Sequence, residues 1–110
     1  MSDHDAVQAK VDQLAQGFLA RLPARLDKID AAFALCTSDA SDPAPWQELY
    51  RLLHSLGGAA GTFGVAAVGS EARRIELRIE ETLQGGSWQS AQVDQIGAAL
   101  DGLRALAAQK

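Results

Sequence analysis

A histidine stands at position 54, followed by glycines at 57, 58, 61 and 64 in the run His-Ser-Leu-Gly-Gly-Ala-Ala-Gly-Thr-Phe-Gly. An imidazole acts as a nucleophile near neutral pH when one ring nitrogen is held by a partner and the other is left free. The run lies at the end of a strongly helical pattern, where positions i+3, i+4 and i+7 from His54 share its face. Gly57, Gly58 and Gly61 therefore strip side chains from the surface beside the imidazole. Each glycine inside a helix costs about 1 kcal/mol relative to alanine. Three of them, at ~3 kcal/mol, take a large share of the ~5–15 kcal/mol that holds a domain together. A bare strip kept at that cost points to a large body approaching His54.

A carboxylate is placed to hold the imidazole. If the chain reverses at Gly64 and Val65, residues whose numbers sum to about 130 lie at one height. His54 is eleven residues before Val65 and Glu76 eleven after it, so each sits about 16 Å from the turn. Accepting the N–H of one ring nitrogen would fix the tautomer and leave the other nitrogen nucleophilic, which is what a phosphate-accepting histidine requires. Other chemistries lack their parts. His4 and His54 are the only histidines and are far apart in sequence, so no metal site is expected. No Gly-x-x-x-x-Gly-Lys-Ser/Thr loop is present to bind a nucleotide, and nothing supplies an oxyanion hole for hydrolysis.

The elements that must position these residues are helical throughout. Ser2 or Asp3 is placed to cap a first helix, with Val7, Val11, Leu14, Phe18 and Leu22 as its core stripe and His4 on its solvated start. Pro23 is expected to kink or break that helix, and Leu26, Ile29, Phe33 and Cys36 then continue the stripe, with Cys36 as a small core residue. Thr37 to Pro45 reads as a loop and Trp46 as the opening of the next helix, whose inward residues are Leu49, Leu52, Leu53, Leu56, Ala60 and Phe63. Gly64 suits the left-handed conformation that ends a helix. A further helix carries Val68, Ala72, Ile75, Ile79 and Leu83 and stops at Gly85-Gly86. Ser87 or Ser90 would cap the last, with Val93, Ile96, Leu100, Leu103 and Ala107 inward. The expected fold is all-α: an antiparallel up-down four-helix bundle with an additional N-terminal helix, residues 1–110 forming a single domain.

Composition agrees and excludes several partners. Apolar residues make up 47% of 110 residues and aromatics only 5%, a balance that suits a helical bundle. The formal charge of −4 argues against nucleic acid. No apolar run of about 18 residues is available to span a membrane. The acidic N-terminus is unlike a secretory signal, and the lone Cys36 suits a reducing compartment, so a cytoplasmic location is expected.

The His54–Gly64 run resembles the signature of histidine phosphotransfer (HPt) domains. It is especially similar to the phosphorylated N-terminal domain of chemotaxis histidine kinases, and Leu-Pro-x-Arg-Leu at 22–26 and the acidic residue at 76 extend the likeness over most of the chain. The resemblance implies a phosphorelay module of two-component signal transduction. In that family role His54 is the phospho-accepting residue, Glu76 orients it, and Gly58 and Gly61 clear its face; Gly57 widens the same docking face. The implied partners are a response-regulator receiver domain or a histidine kinase, with Mg²⁺ in the partner and no cofactor in this chain. The chain would be a monomeric phosphocarrier and not an enzyme. One position departs from the family pattern: Gly57 stands where a lysine is usual. Arg51, one turn before His54, and Arg73, one turn before Glu76, are the candidates to meet a phosphoryl group instead. Solvated surface arginine is the alternative for both, more so for Arg73. The rival function is an HPt-like adaptor that binds receiver domains without relaying phosphate.

Overall fold

The computed structural model describes residues 3–85 and 88–108. Ser2, Gly86 and Ser87, to which cap and stop roles were assigned above, lie outside the described residues, as do the side chains of Asp3 and His4. Among the described residues the chain is all-helical, with α1 over Asp3–Ser38, α2 over Pro43–Thr62, α3 over Ala66–Gly85 and α4 over Ser90–Ala108.

Of the kink or break expected at Pro23, the break does not occur. α1 runs through it for 36 residues, so the described residues hold four helices and no separate additional N-terminal one. Pro23 removes one backbone hydrogen bond and crowds the preceding turn, at about 3 kcal/mol. Phe18, Leu22, Leu26 and Ile29 on either side are all buried. Burial of each such side chain contributes about 1.5–3 kcal/mol, enough to hold the helix together across the proline.

The same helix corrects a second expectation. Val7, Val11 and Leu14 continue the inward stripe in sequence yet are 61%, 42% and 45% exposed, and every residue from 5 to 14 is exposed. α1 is longer than the helices it packs against, and its first turns lie beyond them in a molecule 58 Å in its longest dimension.

α1 packs on α2 and α4, and α3 packs on the same two helices. Their shared core holds Phe18, Leu26, Ile29 and Cys36 from α1, Trp46, Leu49, Leu53 and Leu56 from α2, Ala72, Ile75 and Ile79 from α3, and Ile96, Leu100 and Leu103 from α4. Trp46 is fully buried. It stacks on Trp88 at 3.6 Å between ring centroids, meets Phe33 edge-on, and donates its indole N–H to Ala40 O at 3.2 Å.

The connections are short and chemically specified. α2 begins three residues earlier than expected, at Pro43, because Asp42 caps it by accepting from the Ala44 N–H at 3.0 Å. Pro43 at the first helical position has no N–H to leave unsatisfied. At the other end Gly64 adopts φ +79° and the Val65 N–H donates to Ala60 O at 2.9 Å, the six-to-one bond of a Schellman turn. α4 opens differently from expectation. The Gln89 carbonyl accepts from Gln92 and Val93 N–H groups, and Gln92 Oε1 accepts the Gln89 N–H at 2.9 Å, the return half of a capping box. Ser90 is thus the first helical residue and not the cap.

Candidate functional site

The Schellman turn sends α3 back along α2, and this brings His54 and Glu76 into contact. His54 Nδ1 lies 2.9 Å from Glu76 Oε1. The two partners differ sharply in setting: the His54 side chain is 64% exposed and that of Glu76 only 1%. Glu76 falls beside Ile75 and Ile79, which are buried against α2 and α4, so its position on α3 forces it inward. A buried carboxylate must be paired. Its partners are His54 and Arg73, whose NH1 donates to the same Oε1 at 2.5 Å.

With Glu76 ionised, Nδ1 carries the hydrogen and Nε2 the lone pair. Nε2 has no hydrogen-bond partner among the described residues. The ring of Tyr50, one turn earlier on α2, lies nearly parallel to the imidazole at 6.1 Å, with an interplanar angle of 11°. The imidazole is therefore held through Nδ1, walled on one side, and open at Nε2.

Beside it runs a shallow depression of about 450 Å³ between α2 and α3, lined by His54, Gly57, Gly58, Gly61, Gly69 and Arg73 among others. The glycines play two different parts. A Cβ added at Gly58 or Gly61 would meet nothing within 4 Å, so internal packing does not require glycine there. Gly57 is half-buried, and a Cβ on it would make ordinary contacts with Gly69 O at 3.6 Å and Ala72 Cβ at 3.9 Å. Gly69, which sequence reasoning missed, governs the approach of the two helices. A Cβ there would stand 3.4 Å from both Ala60 Cβ and Gly57 O, at the tight end of real contacts. The signal available in the sequence was its level with Gly61: the two numbers sum to 130. Tyr50 was missed as well, although its i−4 spacing from His54 was there to read.

The two arginines separate. Arg73 joins His54 and Glu76 and lines the depression. Arg51, expected to be the more favoured, turns away. Its guanidinium donates from Nε and NH2 to both carboxylate oxygens of Glu48, at 2.9 and 2.6 Å. That pairing holds the Glu48 carboxyl below its usual range and raises Arg51. Cys36, fully buried in the core, has its thiol pushed up to about 12 by that burial, which makes it unreactive at neutral pH.

A sequence profile described as the Hpt domain matches residues 13–106. No curated protein matches the chain. Among the described residues no helix is long and apolar enough to cross a membrane.

Proposed function

The chain belongs to the Hpt domain family, and from that premise we propose that it relays phosphate through His54. Members of this family are phosphotransfer modules of two-component signalling, acting with histidine kinases and receiver domains as phosphocarriers. What supports assigning the chemistry to His54 is one observation above the rest: its Nδ1 lies against the buried carboxylate of Glu76 while its exposed ring leaves Nε2 free.

In the proposed step, the Nε2 lone pair attacks the phosphorus of an aspartyl phosphate on a receiver domain. The Nε2–P bond forms as the bond from phosphorus to the aspartate oxygen breaks, and the aspartate leaves as a carboxylate. The imidazole gains positive charge as it is phosphorylated, and Glu76 neutralises that charge from the far side of the ring. The Nδ1–H stays in place, so no proton need leave in the transition state. Arg73, already at Glu76 Oε1, has further N–H donors for the phosphoryl oxygens, which carry nearly two negative charges. It is the cation offered in place of a lysine at 57. The partner supplies Mg²⁺ and the remaining positioning, on which phosphoryl transfer chiefly depends. The open surface at Gly58 and Gly61 lets a receiver bring its aspartate to the ring.

The experiment is transfer from a panel of receiver domains carrying labelled aspartyl phosphate. Label should appear on this chain in an acid-labile form and be lost in His54→Gln. A panel that binds the chain equally well with and without His54, and never labels it, would favour the adaptor reading instead. A Cβ at 57 makes only ordinary contacts, and under the relay reading Gly57→Lys raises the transfer rate or the phosphohistidine lifetime.

A further inference from the structure

On the opposite flank of α2 from the depression at Gly57 lies a second groove, of about 410 Å³, between α1 and α2. Its α1 wall carries Arg21, Arg25 and Lys28, spaced i, i+4 and i+7 and therefore on one face. Its α2 wall is Arg51, Leu52 and Ser55. Four of the ten Lys and Arg residues of a chain with net charge −4 line this one groove. Only Arg51 is neutralised, by Glu48. Arg21, Arg25 and Lys28 form no ion pair among the described residues, and Arg25 rests over the Phe18 ring at 5.6 Å. The acids of this stretch of α1, Asp27 and Asp30, are engaged by Arg104 of α4, on the other side of the helix. The groove is thus a concentrated positive field on an acidic protein.

Its position ties it to His54. Arg51 and Ser55 bracket His54 on α2, so a body covering the imidazole also covers the groove. We propose that the groove receives an acidic segment of the protein partner that docks over His54. This rests on the reading that a partner docks there, and it holds whether or not phosphate is relayed. A row of three cations along about 10 Å of helix matches successive carboxylates on a peptide segment better than a single compact anion. Such charges at the edge of an interface govern encounter rate and salt dependence. They would offset the absence of a lysine at Gly57 by holding the partner in place.

The test uses the full chain, isotope-labelled, titrated with an octaglutamate peptide, with octaglutamine and inorganic phosphate as comparison probes. Amide shifts should move at Arg21, Arg25, Lys28, Arg51 and Ser55 with octaglutamate, and the affinity should fall as ionic strength rises from about 50 to about 300 mM. The double variant Arg25→Gln/Lys28→Gln should lose about tenfold or more in affinity. Lys10→Gln/Arg78→Gln, which makes the same change in net charge away from the groove, should lose little. Far-UV circular dichroism and thermal melting establish that both pairs fold. Equal losses in the two variants would mean general attraction and overturn the proposal, as would shifts outside the groove. Phosphate producing the same shift pattern at comparable concentration would make this a small-anion site and also overturn it. None of these readouts depends on phosphorylation of His54, so the groove and the relay fail separately.

Discussion

Replacing Glu76 by glutamine keeps the shape of a side chain that is 1% exposed and removes only its charge. The carboxylate oxygen Oε1 now accepts from both His54 Nδ1 and Arg73 NH1. A glutamine oxygen in the same place still accepts from both donors, but as a neutral group. A hydrogen bond to an ionised group is worth ~1.5–3 kcal/mol. Because the His54 side chain is 64% exposed, solvent screening argues for the lower end, about 1.5 kcal/mol. That biases the imidazole toward the Nδ1–H tautomer by roughly tenfold, since 1.4 kcal/mol is a factor of ten in an equilibrium. The wild-type ring should thus be more than about nine-tenths Nδ1–H, and Glu76→Gln, left with a neutral hydrogen bond, should lower that share. The nucleophilic Nε2 fraction falls accordingly, and the phosphoryl-transfer rate should drop about tenfold or more, because the charge that stabilises the phosphorylated ring is lost too. Nitrogen-15 shifts of the His54 ring read the tautomer, and single-turnover transfer reads the rate. An unchanged tautomer ratio with an unchanged rate in a folded Glu76→Gln would refute the orienting role.

Three further outcomes follow from the packing. Gly58→Ala and Gly61→Ala add a methyl to open space, so each should raise the urea midpoint, stabilising the fold by about 1 kcal/mol, while slowing transfer from a receiver; destabilisation would show that these glycines serve the fold. Gly69→Val pushes against Ala60 Cβ and Gly57 O and should destabilise by about 1–3 kcal/mol as overpacking, with the ring-nitrogen shifts of His54 reporting its separation from Glu76. For Cys36, the thiol is pushed up to about 12 from 9.0 by burial. The unfolded chain therefore binds fewer protons than the folded one between those values, and stability present in full below pH 9 declines as pH rises toward 12. Urea melts of wild type and Cys36→Ala at neutral pH and near pH 10 should show the steeper decline in wild type; parallel declines would contradict the assignment.

Much of the helical arrangement could be read from periodicity, but periodicity says nothing about how far a neighbouring helix reaches. Val7, Val11 and Leu14 carry the same spacing as Phe18 and Leu22, yet only the latter pair meets a partner. Pro23 and Pro43 show the complementary limit. Proline disfavours a helix interior locally, but buried leucines on both sides of Pro23 carry α1 through it, while the Asp42 cap turns a proline-rich stretch at 43–45 into the first turn of α2. The meeting of His54 and Glu76 was legible because a hairpin makes residue height a matter of counting from the turn. The direction of Arg51 was not. A long flexible side chain follows its nearest charge, and Glu48 lies one turn away. The closeness of α2 and α3 at Gly69 is open to the same counting, since Gly69 lies level with Gly61, but spacing alone does not say how near two helices come.

In the proposed relay His54 acts through Nε2 while Nδ1 stays with Glu76. The most direct measurement is the position of the phosphoryl group after incubation with a phosphorylated receiver domain, read by phosphorus–nitrogen coupling in the nitrogen-15-labelled chain. A single phosphohistidine is expected, at residue 54, with the phosphorus on Nε2 and the Nδ1 hydrogen retained. Phosphorus on Nδ1, or transfer that persists in His54→Gln, would contradict it.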